Sequence, residues 1–462
     1  MTERQRLCTL GLLLGTFLVS LDSTVVATAS PQIVRHLGGG EWYAWIAGGY
    51  LVGTAVITPL AGRLVDLYNG RWILIGSTVL FLVASALCGA ATTMEGLVGW
   101  RVVQGVGGGA MMAATVGLIG LLYGPTERGS IMGWFGTVLG VASVLGPLLG
   151  GLLSDHASWR WVFYVNLPLG LAGLVFLVRG MPDLAPEGRG GMDGVGTVLL
   201  LAWSVPLLLA LSGEQGRAPL ATPLGRGLLA LAAVALGLFV LAERRVPSPL
   251  LDLDLFRNRT FSTGSVAMAC LGSAWLGAVL YLPLYLVSVR GVSATWSGMA
   301  LTPVVLGLVL GSMAVGRLTR LLRRCRGLLL GGTLLAVAVL AGLYGTLGPR
   351  TPYPLLLALM VGVGVSFGVV LATWPIAVQN AVGRDRMGTA SSCLQFFRFM
   401  GQALGLAFMG AAVAAVQDTA LMEGLRGLFL DSVVLAGISL LVTLPVPDLE
   451  LAAPPKTAPQ TS

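Results

Sequence analysis

Charge is what this chain has least of. Only 10% of its 462 residues are Asp, Glu, Lys or Arg, and the single lysine is Lys456. With no other lysine there is no G-x-x-x-x-G-K-[ST] phosphate loop, and no polar stretch is long enough to fold as a nucleotide-binding domain. ATP hydrolysis by this chain alone is thereby excluded. Histidine is almost as scarce: His36 and His156 both fall in segments expected to be turns. That leaves no His-built metal centre and no buried Ser-His pair, which argues against a hydrolase working inside a membrane. The five cysteines, Cys8, Cys88, Cys270, Cys325 and Cys393, are scattered and suggest neither a disulfide nor a metal framework.

Apolar residues fill the space that charge leaves. They make up 55% of the chain and come in runs of about 18 to 25, the length of a helix crossing a ~30 Å hydrocarbon layer. Such runs occupy 7–29, 42–61, 71–93, 97–122, 130–153, 161–178, 194–212, 225–242, 262–287, 297–319, 327–346, 353–379, 394–416 and 428–445. The sequence therefore reads as an all-α polytopic membrane protein with fourteen spans. The first run follows Arg4 and Arg6 and ends in Ala27-Thr28-Ala29, as an export signal does, but it is longer than an h-region and carries Asp22. It is expected to stay as the first span.

Arginine placement sets the orientation, because cytoplasmic loops retain positive charge. With both termini inside, most of the 28 Lys and Arg fall in cytoplasmic segments, densest at Arg317, Arg320, Arg323, Arg324 and Arg326. The net charge of +8 then reflects topology and contact with anionic lipid of the bilayer, and calls for no nucleic acid.

An internal echo divides the chain. PLAGRLVDLYNGRWILIGSTVL at 59–80 aligns with AVGRLTRLLRRCRGLLLGGTLL at 314–335, Gly62-Arg63-Leu64 falling on Gly316-Arg317-Leu318. Each is a basic turn between two spans, as expected of duplicated helix bundles with a substrate site between them. The offset of 254 residues (316 less 62) is too long for six spans and leaves room for two more. The expected plan is a six-helix bundle at 1–180, a two-helix insertion at 181–260, a second six-helix bundle at 261–446 and a disordered Pro-rich tail at 447–462.

Five stretches carry a family resemblance. They are Leu21-Asp22-Ser23-Thr24-Val25-Val26 with Pro31; Gly62-x-Leu64-x-Asp66 with Gly70-Arg71; Arg101-Val102-Val103-Gln104-Gly105; the glycine-striped run with Gly140, Gly146, Pro147, Gly150 and Gly151, followed by Trp159-Arg160-Trp161-x-Phe163-x-x-Asn166-x-Pro168; and Gly388-x-Ala390-Ser391 with Arg398-x-x-Gly401-x-Ala403-x-Gly405. Together they resemble the major facilitator superfamily, specifically its fourteen-span drug:proton antiporters of the EmrB/QacA type. The resemblance implies the major facilitator fold, no enzymatic activity, no cofactor beyond a proton as coupling ion, and a bacterial-type cytoplasmic membrane. It implies a cytoplasmic gate at Gly62, Asp66 and Arg71, and an antiporter motif at Gly140 to Gly151. An accessory envelope partner is left open. Where the gate motif usually has a basic residue after its Asp, this chain has Leu67, and between Asp254 and Asp418 its only acid is Asp385.

Few groups are left to carry the chemistry. Ionised side chains are costly in hydrocarbon and serve pairs or pathways. Asp22, about 22 Å along the first span, and Arg101, about 24 Å above the cytoplasmic surface on the fourth, lie at matched depth. Arg101 shares a helix face with Gln104, Gly105, Gly108 and Met112, while Asp22 shares one with Leu18 and Val26 and points away from Ser23 and Thr24. Asp22 is expected to bind the coupling proton with Arg101 tuning it; a static salt bridge between two helices is the alternative. Tyr50, Gln104, Met112, Trp374, Gln395 and Gln402 are candidates to line a substrate cavity suited to small amphipathic molecules. The expected function is a proton-coupled exporter of amphipathic or hydrophobic compounds. A dedicated exporter or flippase of one lipid or secondary metabolite, and a non-transporting membrane sensor, stand as alternatives.

Overall fold

The computed structural model describes residues 3–38, 42–183, 193–211, 222–246, 249–291, 301–322, 324–348, 350–383, 386–414 and 421–448. The expected tail beyond Asp448 and most of the linker from Pro182 to Asp193 lie outside the described residues. Each apolar run becomes a helix: α1 Glu3–Leu37, α2 Tyr43–Leu67, α3 Gly70–Ala90, α4 Met94–Leu122, α5 Pro125–His156, the short α6 Trp161–Tyr164, α7 Asn166–Gly180, α8 Gly194–Leu211 and α9 Pro223–Glu243. They continue as α10 Arg259–Ser288, α11 Thr302–Leu322, α12 Arg326–Thr346, α13 Tyr353–Ala381, α14 Met387–Ala414 and α15 Leu421–Thr443. Polar caps start several of them where the apolar runs begin. Thr93 accepts from the Gly96 amide at 3.2 Å, Thr222 from Gly225 at 3.0 Å, and Asn258 from Thr260 at 3.0 Å.

Twelve helices among the described residues are long and apolar enough to cross a membrane, where the sequence led us to expect fourteen. The twelve leave out α8, whose counted apolar stretch is Gly194–Leu207, and α14, which carries Thr389, Ser391, Ser392, Gln395, Arg398 and Gln402; parts of both helices have side chains outside the described residues.

The pairing of helices repeats along the chain. Helix α4 packs on α2 and α3, and α1 on α5 and α7; in the same order α13 packs on α11 and α12, and α10 on α14 and α15. Backbone-to-backbone approach makes the tightest pairs. A Cβ on Gly53 or Gly105 would strike the facing α4 or α2 backbone, so neither helix tolerates a side chain there. The two sets meet along α5 with α11 and α2 with α14. Helices α8 and α9 pair with each other and rest on that second seam, where the Trp203 ring of α8 lies 5.7 Å from Phe396 of α14 and 6.4 Å from Phe239 of α9.

Candidate functional site

Asp22 is fully buried on α1 and is held from two other helices. Its Oδ2 accepts from Arg101 Nη1 at 2.6 Å, and its Oδ1 accepts from Gln104 Nε2 and from Asn166 Nδ2, each at 2.8 Å. Every neighbour donates, so the arrangement fits an ionised carboxylate. Arg101, 1% exposed, also donates to the Gln104 carbonyl oxygen at 2.7 Å and the Ile46 backbone carbonyl at 3.0 Å, and its guanidinium lies over the Tyr50 ring at 4.5 Å. Behind it Asn166 donates to Ser85 at 3.0 Å, and Ser85 to the Phe163 carbonyl at 2.9 Å. The charge pair thus sits inside a polar network of α1, α3, α4 and α7 with apolar walls, in which Asn166 Oδ1 and the Tyr50 hydroxyl are buried without a hydrogen-bond partner among the described residues.

A second cluster joins the two sets of helices at the end predicted to face the cytoplasm. Asp66 of α2, 2% exposed, accepts from the Gly388 amide at 2.8 Å, the Thr389 amide at 2.7 Å and the Thr389 hydroxyl at 2.6 Å. These are the first amides of α14, so an acid from one set caps a helix of the other and meets the positive end of its dipole. The fit needs two glycines. A Cβ on Gly62 would run into Ser392 and the Gly388 carbonyl, and one on Gly388 into Asp66 itself. Arg71 turns elsewhere: it pairs with Asp183 at 3.2 Å and donates to the Val178 carbonyl at 2.8 Å, both near the end of α7. The cation that reaches across is Arg128 of α5, which donates to Asn380 at 3.4 Å and contacts the Met387 sulfur at 3.8 Å. Gln379 of α13 donates back to the Val116 carbonyl of α4 at 3.0 Å.

Helix α5 faces two partners in turn. At Gly136 and Gly140 an added Cβ would enter Ser312 and Val309 of α11, whereas at Gly146 and Gly150 it would enter Thr24 and Thr28 of α1. Thr24 donates to the Ala142 carbonyl at 3.3 Å at the changeover. The helix runs on through Pro147, whose side chain lies outside the described set, and a Cβ on Gly151 would meet open space.

Between the two sets lies a narrow cleft of about 20 Å³ whose lining includes Met132 and Phe135 of α5, Ser312 of α11, Pro375 of α13, and Gln395 and Arg398 of α14. Of the six cavity candidates read from the sequence, Gln395 lines this cleft. Tyr50 and Gln104 belong to the Asp22 network, Met112 and Trp374 are packed in the core, and Gln402 is half-buried further along α14.

Comparison with known proteins settles the family. A model of the Major Facilitator Superfamily matches residues 12–406. The chain belongs to this superfamily. Its members are transporters, not enzymes, and need no cofactor. The multidrug transporter protein MdtP of Bacillus subtilis is 33% identical over 431 residues, spanning 93% of this chain and 79% of that one. Multidrug resistance protein 3 of the same organism is also 33% identical, over 91% of this chain and 81% of its own. The human organic anion transporter MFSD10 has the same fold, with a TM-score of 0.68 over 94% of this chain and 100% of that one, at 15% identity. This superfamily member is thus a multi-pass membrane transporter with multidrug relatives.

Four functional contacts escaped the sequence reading. Asn166 stood inside a quoted motif with no role attached, and only its place across from α1 makes it a donor to Asp22. Thr389, Arg128 and Gln379 had no signal at all. They act at a contact between residues more than 250 positions apart, and helix periodicity carries no information about that.

Proposed function

We propose that this transporter is a proton-coupled exporter of amphipathic compounds, working by alternating access across a bacterial-type cytoplasmic membrane with both termini inside. Helices α8 and α14 are taken to cross as well, giving fourteen spans in a six, two, six plan. The observation that carries the reading is Asp22, a carboxylate with no exposure held by three donors at mid-depth of α1. Such a group is costly in hydrocarbon and is retained where it serves a pathway. The multidrug relatives support the choice of cargo.

In this mechanism a proton from outside neutralises Asp22 and removes the charge that Arg101 faces. Arg101, Gln104 and Asn166 then lose their common acceptor and α1 is free to shift. The shift passes to α5, because Thr24 and Thr28 sit in the notches at Gly146 and Gly150, and from α5 to α11 through Gly136 and Gly140. Opening the cytoplasmic side requires Asp66 to leave the α14 amides and Arg128 to leave Asn380. Release of the proton inward restores the Asp22–Arg101 pair and returns the helices.

The test is reconstitution into liposomes with an imposed pH gradient, recording proton movement evoked by a panel of dyes and drugs. Wild type is expected to respond to several amphiphiles and Asp22→Asn to none at equal protein level. A full response from Asp22→Asn would remove the proton-carrier role.

A further inference from the structure

The cleft holds a cation with no ion-pair partner among the described residues. Arg398 lines it from α14, and its Nε is shielded from solvent with no hydrogen-bond partner among the described residues. Its guanidinium lies 4.6 Å from the ring of the adjacent Phe399. The stem is seated by Gly272 of α10, where an added Cβ would come within 3.2 Å of Arg398 Cγ. The side chain is therefore placed by close packing of α10 on α14.

Among the described residues no acid is paired with it. Between Asp254 and Asp418 the sequence has only Asp385, two residues ahead of α14 in sequence and outside the described residues, while Arg398 lies about three helical turns into α14. The buried acids of α1 and α2 are engaged: Asp22 with Arg101, Gln104 and Asn166, and Asp66 with Gly388 and Thr389. An unpaired charge in a low-dielectric cleft is strongly unfavourable until an anion arrives. A guanidinium meets a carboxylate or sulfonate through two parallel N–H donors, which gives direction as well as attraction. Gln395 lies three residues earlier on the same face of α14 and brings an amide donor to the same space. Ser312 spends its hydrogen on the Gly368 carbonyl at 3.2 Å, leaving its oxygen as an acceptor only. The remaining wall is apolar, with Val116, Met132, Phe135, Leu139, Leu308 and Leu371.

Resting on the exporter reading above, we infer that Arg398 and Gln395 form an anion subsite in the central cleft, so that the preferred cargo is an amphiphile bearing one carboxylate or sulfonate on an apolar body. The apolar wall takes the body and the α14 face takes the head.

Three probes on one pyrene body test this: the butyrate, the butyramide and the butyltrimethylammonium ion, titrated by fluorescence against purified protein in nanodiscs. Wild type is expected to bind the butyrate about tenfold more tightly than the amide, the scale of one charge-assisted contact. Arg398→Gln is expected to bring the two to equal affinity, Arg398→Lys to keep part of the difference, and Gln395→Leu to narrow it about threefold. The Gln395 variant decides the matter if Arg398→Gln does not fold. Equal binding of amide and butyrate by wild type, tighter binding of the cation, or a preference untouched by Arg398→Gln and Gln395→Leu overturns the subsite. Uptake of the amide probe into proteoliposomes under a pH gradient is a separate arm. Its absence counts against the exporter reading alone, since the binding comparison does not depend on transport.

Discussion

Arg101 and Arg398 both stand well inside helices of this protein, and the protein treats them in opposite ways. Arg101 is tied to Asp22, Gln104 and the Ile46 carbonyl, with Tyr50 stacked on it. Arg398 has an aromatic neighbour and a cleft. One charge is balanced by the fold, and in the proposed mechanism its partner is neutralised by a proton. The other has no ion-pair partner among the described residues and in the proposed subsite awaits a ligand. On these proposals a buried charge of the same kind serves coupling where its counter-ion belongs to the chain, and recognition where it does not.

Stability breaks that comparison most sharply. Replacing Arg101 by Met leaves Asp22 buried without its cation and is expected to lower stability by about 3 to 5 kcal/mol. Replacing Arg398 by Leu removes a charge that no described residue pairs with and is expected to cost no stability. Thermal unfolding of both variants in one detergent reads this directly, and an equal drop would mean that Arg398 is also paired. Next in size is Asp66→Asn, which weakens three hydrogen bonds to α14, each worth about 1.5 to 3 kcal/mol when charge-assisted. Cys393, fully buried behind this contact, is the reporter. In a background lacking the other four cysteines its alkylation is expected to speed up about tenfold or more as the closed state loses ground. Smallest is Asn166→Ala, which removes one of three donors to Asp22, worth about 1 kcal/mol. A loss of a few-fold in proton movement is expected, well short of that in Asp22→Asn.

Much of the Asp22 site was legible in the sequence, because an acid and a base, rare in such apolar runs, stood at matched depth on antiparallel helices. Helical periodicity also put Gln104 on the face of Arg101, although its role was taken to be lining a cavity and the structure gives it to the carboxylate. The closure at Asp66 was legible by half. Its motif marked Gly62 and Asp66, while Arg71 points back to α7 and Arg128 reaches across. That exchange depends on which side of α2 faces α14, a relation set by packing of distant helices. Arg398 was visible only as a motif letter. Its meaning comes from what surrounds it, since the absence of a counter-charge is a property of three-dimensional space.

Proton movement evoked by each probe in proteoliposomes, compared between Asp22→Asn and Arg398→Gln, tests the division of labour most directly. The account predicts that Asp22→Asn silences the response to every compound, while Arg398→Gln lowers the response to the pyrene butyrate to the level of the amide and removes neither. Loss of the same set of compounds in both variants, or an intact response in Asp22→Asn, would contradict it.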